Sequence, residues 1–180
     1  MTSVSGLAVR SAEHEGVTDL VERCRLRRAG PGDAASLSSL AFRSKASWGY
    51  DIDFMKRCQA ELTFSADQIE APRNHFVICE VDDALAGFYG LESRGEHDAE
   101  LVALFVKPAL LRHGIGRLLA EHMTGQARQL GIRTVTIQGD PNAEDFYTAI
   151  GATAAGYRES ASIPGRYLPV FRLGIGQESP

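Results

Sequence analysis

Cysteine is scarce in this sequence: Cys24, Cys58 and Cys79 are the whole supply, an odd number with wide spacing. That pattern suits neither a disulfide framework nor a paired Cys-x-x-Cys site, and free thiols in a reducing compartment are expected. No apolar run approaches the length needed to cross a membrane. The first segment, MTSVSGLAVRSAEHEG, carries acids early and lacks the apolar core of a signal peptide, so a cytoplasmic protein without a membrane partner is expected. Positive charge is in short supply too, with 19 Lys and Arg against 23 Asp and Glu for a net charge of −4. Such a balance argues against nucleic acid as a partner, while a local basic patch would still suffice for the phosphates of a small cofactor. Internal repeats and low-complexity tracts are absent as well.

What is present fits one domain, since 180 residues can enclose a proper core. Residues 1–22 are small and polar without sustained periodicity and are expected to be a flexible extension. Residues 23–175 carry the domain, and 176–180 form a tail. Val21 to Ala29 alternates as a first strand at a sheet edge. Asp33 can cap a helix with a stripe of Ala34, Leu37, Leu40 and Ala41, running to about Ser44. A second helix, capped by Asp51 or Asp53, carries Phe54, Met55, Cys58 and Leu62, and Ser65 opens a short third one. Between the first two helices Trp48 and Tyr50 flank Gly49, where large aromatics fill a core or line a small-molecule site.

His75 to Val81 and Leu85 to Leu91 read as a hairpin turning at Asp82 and Asp83, with Gly87 and Gly90 marking a bulge or a close backbone approach. The third strand is ELVALFV, Glu100 to Val106. A helix follows with Leu118, Leu119 and Met123 on one face and Gly131 as its stop. Ile132 to Ile137 is a further strand. Asp140 or Asn142 caps the helix that carries Phe146, Tyr147 and Ile150 and stops at Gly151. Two strands complete the chain, Ala154 to Glu159 and one ending at Leu173 in which Pro169 implies an edge or a bulge.

The most informative stretch is VKPALLRHGIGRLL, Val106 to Leu119. Pro108 stops the strand, and a helix starts at a turn rich in glycine. The first N–H groups of a helix lack intrahelical acceptors, and the helix dipole favours an anion beside them. Gly114 and Gly116 allow close approach, Ile115 stands between them, and Arg112, His113 and Arg117 can add charge or donors. A P-loop is excluded because Arg117 and Leu118 follow Gly116, and the dinucleotide fingerprint fails because Leu119 stands where its third glycine belongs.

Val106, Pro108, Gly114 and Gly116 resemble motif A of the GNAT superfamily of N-acetyltransferases, in which this turn binds the pyrophosphate of acetyl-CoA. One position departs: the family's Gln/Arg falls on Leu111, with Arg112 next to it. Asn142, Phe146, Tyr147 and Gly151 resemble motif B, with the alanine displaced to Ala143. Two motifs in the right order, separated by one helix and one strand, are more specific than either alone, and the resemblance covers roughly Arg25 to Leu173.

The resemblance implies an α/β (α+β) fold, a mixed, mostly antiparallel central sheet flanked by helices, with two splayed parallel strands holding the cofactor. It implies acetyl-CoA as co-substrate and no metal. The backbone at Leu104, Phe105 and Val106 would hold the pantetheine arm, with Asn142 and Tyr147 also beside the cofactor and Tyr147 as the general acid. Glu100 matches a glutamate of the histone-acetyltransferase branch, and its apolar strand suggests a carboxyl with raised pKa acting as base, directly or through water. His97 and solvent are the other candidates. Trp48, Tyr50 and Arg166 lie on loops that the resemblance brings to the acceptor side. The expected reaction is direct transfer to an amine, a small molecule by preference, with a homodimer left open. A catalytically silent acyl-CoA sensor is the alternative, and a nucleotide-dependent oxidoreductase a more distant one.

Overall fold

The computed structural model of the chain describes residues 20–176. Most of the expected extension, residues 1–19, and residues 177–180 of the tail lie outside it. Residues 20–22 form a helical turn whose Leu20 packs on the core, so the first strand starts later than its alternation suggested. The strands are β1 (Cys24–Arg28), β2 (Asn74–Val81), β3 (Ala84–Ser93), β4 (Asp98–Val106), β5 (Thr134–Gln138), β6 (Thr153–Glu159) and β7 (Tyr167–Gly174). The helices are α1 (Ala34–Ala46), α2 (Ile52–Cys58), α3 (Ala66–Glu70), α4 (Ile115–Gln129) and α5 (Glu144–Ala149).

The strands form one sheet in the order β1-β2-β3-β4-β5-β7-β6, antiparallel except where β4 meets β5. The hairpin turn between β2 and β3 has both Asp82 (φ 50°) and Asp83 (φ 61°) in the left-handed region, as a tight two-residue hairpin demands. Asp51 and Ser65 cap α2 and α3 by accepting from the N–H groups of Phe54 and Gln68.

Two cores cover the two faces. On one face α4 buries Ile115, Leu119 and Met123 against Tyr89, Leu101 and Val135. On the other, α1, α2 and α3 bury Leu37, Leu40, Met55, Cys58 and Ile69 against Phe76, Ile78 and Phe88. This division follows from the two-residue period of the strands, since Val77 and Cys79 serve the first core while Phe76 and Ile78 serve the second.

Three bulges interrupt that period. In β3, Gly87 pairs with Cys79 and Leu85 with Glu80, so Ala86 is an extra residue. In β4, Ala103 pairs with Gly90 and Leu101 with Leu91, so Val102 is an extra residue. In β6, Ala154 pairs with Phe171 and Tyr157 with Pro169, which puts the bulge, Ala155 and Gly156, opposite Val170 and next to Pro169. The expectation that Pro169 marks an edge or a bulge resolves to a bulge, because β7 lies between β5 and β6 and the edge strand is β6.

Gly90 permits a close approach, since a Cβ there would lie 2.5 Å from Cε1 of the buried Phe76. Gly125, inside α4, has open space around it. The two glycines therefore respond oppositely to a methyl group. Gly90→Ala should lower the unfolding free energy by about 1–3 kcal/mol through overpacking, and Gly125→Ala should raise it by up to about 1 kcal/mol through helix propensity. Urea denaturation of both variants checks this, and equal effects would contradict the packing described.

Candidate active site

The β4–β5 pairing begins at Asp98↔Thr134 and ends at Leu101↔Ile137. Past that point β4 stays paired to β3 as far as Val106↔Gly87, and β5 stays paired to β7 through Gln138↔Val170. The separation coincides with the bulge at Val102, which bends β4. The flank of β4 over Leu104, Phe105 and Val106 that would continue toward β5 therefore has no partner strand, and its peptide groups there can pair with a ligand.

The sequence then passes through a 3-10 turn at Pro108–Leu110 and reaches α4. Gly114 adopts φ 84° as the N-cap, a left-handed conformation that glycine meets without strain. The preceding turn also places Arg112 at φ 65°, while His113 Nδ1 lies 2.8 Å from the Leu111 carbonyl. The first backbone bond of the helix runs from Leu118 N–H to the Gly114 carbonyl at 3.0 Å. The N–H groups of Ile115, Gly116 and Arg117 therefore precede any intrahelical acceptor, and no side chain caps them. Arg112 and His113 are exposed beside them, and Arg117 is exposed and paired with Glu121 at 3.0 Å. These groups fit a polyphosphate in charge and in direction.

Tyr147 lies on α5 with 8 % of its surface exposed. Its ring packs against Phe171, 5.4 Å between centroids, and against Gly139, the first residue after β5. A Cβ on Gly139 would sit 2.6 Å from the Tyr147 ring, so this approach requires glycine. Burial, together with the nearby Asp140 charge, pushes the Tyr147 phenol up to about 12. Its hydroxyl keeps its proton at neutral pH and makes no hydrogen bond among the described residues.

Beside the end of β5 the structure assembles a polar knot around Asp140. The Tyr50 hydroxyl is 2.9 Å from both Asp140 oxygens, Lys45 Nζ is 3.3 Å from the carboxylate, and the Asn142 amide donates to Asp140 at 2.9 Å and to the Tyr50 oxygen at 3.1 Å. Arg166, from the β6–β7 loop, donates to the Tyr50 oxygen at 3.0 Å and lies 4.7 Å from the centre of the Phe54 ring, which stacks on Tyr50 at 4.2 Å. Lys45 also reaches Glu61 at 3.8 Å, and Ser162 of the β6–β7 loop donates to Glu61. Burial alone would raise the Asp140 pKa, but the Asn142 N–H, Lys45 and the Tyr50 hydroxyl outweigh it and hold the carboxyl below its ordinary range. Burial and the Asp140 hydrogen bond raise the Tyr50 phenol.

Two of the three expected acceptor residues, Tyr50 and Arg166, thus meet across 116 positions of sequence. Trp48 does not join them and is 45 % exposed, so it is not core filling. Asn142, expected beside the cofactor, spends its amide on Tyr50 and Asp140. Glu100 faces the α1 side of the sheet, because its neighbours Ala99 and Leu101 belong to the α4 core. The expected apolar enclosure of Glu100 is replaced by ion pairs with Arg158 (2.7 Å) and Arg94 (3.0 Å). His97 stands before β4, five residues short of the bulge or roughly 16 Å of strand, with Nδ1 3.0 Å from the Gly131 carbonyl.

The sequence reading missed Lys45, Phe54 and Glu61 as site residues and took Asp140 only as a cap. Lys45 had a signal: it falls four residues after Ala41, on the stripe that α1 buries. No group of three or more His, Cys, Asp or Glu among the described residues could hold a metal ion. No described helix is long and apolar enough to cross a membrane.

Residues 40–152 match the family described as Acetyltransferase (GNAT) family, which is well over half of the chain. The chain belongs to the GNAT acetyltransferase family. Among solved structures it is similar to a PaiA N-acetyltransferase from Thermoplasma acidophilum in complex with coenzyme A, at 17 % identity and a TM-score of 0.67 over 84 % of this chain and 98 % of that one. It is also similar to the ribosomal-protein-S18-alanine N-acetyltransferase from Escherichia coli, at 18 % identity and 0.64 over 87 % and 96 %. An aminoglycoside 6'-N-acetyltransferase complexed with coenzyme A shares 16 % identity at 0.62 over 87 % and 99 %. Likeness at this level is one of fold. No curated protein sequence matches the chain.

The polar knot generates a pH-dependent prediction. Because the Asp140 pKa is lowered in the folded state, its stabilisation is complete above the ordinary carboxylate value near 3.8 and is lost as pH falls through the folded value. Asp140→Asn should cost about 1–3 kcal/mol at pH 7, and the gap from the parent should hold down to about pH 4 and narrow as pH falls from there toward pH 2. Urea unfolding across that range checks it, and a gap that stays constant would contradict the charged knot.

Proposed function

We propose that the chain is an acetyl-CoA-dependent N-acetyltransferase that acts by direct attack of an amine on the thioester, with a small molecule as acceptor. The observation that carries this reading is the end of β4–β5 pairing at Leu101↔Ile137, next to the uncapped N-terminus of α4. A strand flank open for a pantetheine arm and a helix start open for its pyrophosphate occur in succession along one stretch of chain.

Acetyl-CoA supplies the activated acyl group, and the residues divide the remaining work. Backbone N–H groups of Ile115, Gly116 and Arg117 hold the phosphates, with Arg112 and His113 beside them. The open flank of Leu104 to Val106 orients the thioester and polarises its carbonyl. Glu100, through a water, takes the proton that the amine loses when its nitrogen bonds to the acyl carbon. Tyr147 gives its phenolic proton to the sulfur as the carbon–sulfur bond breaks, and solvent returns a proton to it. Tyr50, Phe54 and Arg166 form a wall of aromatic faces and a guanidinium, suited to an acceptor with an apolar part and a carboxylate.

Release of free thiol from acetyl-CoA across a panel of small amines tests the proposal. Binding of CoA with no thiol released for any amine would identify a sensor instead. Tyr147→Phe should keep the fold and the acetyl-CoA affinity and lower kcat by about 10²-fold or more; a full-rate variant would assign protonation of the thiolate to water.

The acceptor wall makes a separate prediction. Arg166→Ala should raise the acceptor KM about tenfold, the scale of one charge-assisted hydrogen bond, and leave the acetyl-CoA KM unchanged. Steady-state kinetics with either substrate varied measures both constants. An unchanged acceptor KM with a lowered melting temperature would make Arg166 a structural residue only.

A further inference from the structure

A cavity of about 190 Å³ lies away from this site, between β1, β2 and the C-terminal half of α4. Leu26 and Arg28 of β1, His75 and Val77 of β2, and His122 and Gln126 of α4 line it. His122 follows Ile115 by seven residues, roughly 10 Å along the helix, which separates the cavity from the turn at Gly114. Volumes of roughly 300–1,000 Å³ suit drug-sized ligands, so an occupant here is small.

The lining is one-sided in charge. It contains no Asp or Glu among the described residues. Arg27, the remaining lining residue, already has its guanidinium bound by Asp33 and Glu80. Arg28 differs, since its described partners are neutral: Nη1 lies 3.0 Å from His75 Nδ1, and Nη2 donates to the Asn74 carbonyl at 3.0 Å. An arginine can only donate, so His75 Nδ1 accepts and the ring proton sits on Nε2 as a further donor. His122 Nδ1 is occupied by the buried Tyr89 hydroxyl at 3.0 Å, which leaves its Nε2. Gln126 stands one turn along on the same helix face and adds an amide.

We infer that this cavity is a second anion site, formed by Arg28, His75, His122 and Gln126, for a small oxyanion of carboxylate or phosphate type. Its apolar walls, Leu26 and Val77, exclude water from one side of the ligand and strengthen the charge-assisted bonds. Burial lowers the pKa of both imidazoles, and the Arg28 charge lowers that of His75 further, so the rings offer neutral N–H groups and Arg28 supplies the positive charge. Nothing in the proposed transfer chemistry uses these four residues.

Titration of the full chain with sodium phosphate and, separately, with sodium succinate, followed through the histidine ring proton resonances at constant pH, tests the site. The five histidines are few enough to assign by substitution. The expected result is a saturable shift of His75 and His122 with at least one of the two anions, weakened about tenfold in Arg28→Gln. Saturation by phosphate or by succinate identifies which oxyanion the site takes. A shift confined to His113 would put the anion at the head of α4 and overturn the inference. So would a response matched by sodium chloride at equal ionic strength, or one that Arg28→Gln leaves intact.

Discussion

One additional residue in β4 sets the geometry on which the rest of the molecule depends. Val102 has no partner in β3, and β4 leaves β5 immediately after Leu101. A bulge bends its strand and raises the local twist. A parallel pair would otherwise continue to satisfy its backbone groups internally and leave nothing for a ligand to pair with. The bulge also changes which face the next side chains serve: Leu101 belongs to the α4 core, whereas Val102 and Ala103 pack on the α1 side.

Charge is concentrated where that break opens. Lys45 and Asp140 are mostly enclosed, with side chains 10 % and 14 % exposed, and Glu61 and Arg166 complete two positive and two negative groups around Tyr50. Isolated, any of these charges would be costly to bury; paired, they contribute position more than stability. The knot ties α1, Tyr50 of the following link, Phe54 of α2, the end of β5 and the β6–β7 loop together. Tyr50 and Arg166 are thereby held in one arrangement, which under the proposed acceptor role would limit the entropy lost on binding.

Elements with a local signal were legible in the sequence. Pro108, the two glycines and the stripe of α4 announced the strand-to-helix turn, and Asp82–Asp83 announced the hairpin, because each depends on residues within a few positions of one another. The bulge left no such mark, since Val102 is one more apolar residue in a run of them. Partners distant in sequence were equally hidden: Arg158 reaches Glu100 across 58 positions, and Lys45 reaches Asp140 across 95. The first of those replaced the apolar setting expected for Glu100 with an ion pair. The motif B resemblance placed Tyr147, but only the fold shows that Gly139 is what lets its ring approach the end of β5.

Amide hydrogen exchange with and without coenzyme A measures the central claim most directly, because the groups held to bind the cofactor are backbone N–H groups. The account predicts that ligand slows exchange at residues 102–106 and 114–117 and leaves the β2–β3 hairpin around its Asp82–Asp83 turn unchanged. Protection that spares both segments, or that falls on β6 and β1 instead, would contradict the placement of the cofactor between β4 and β5.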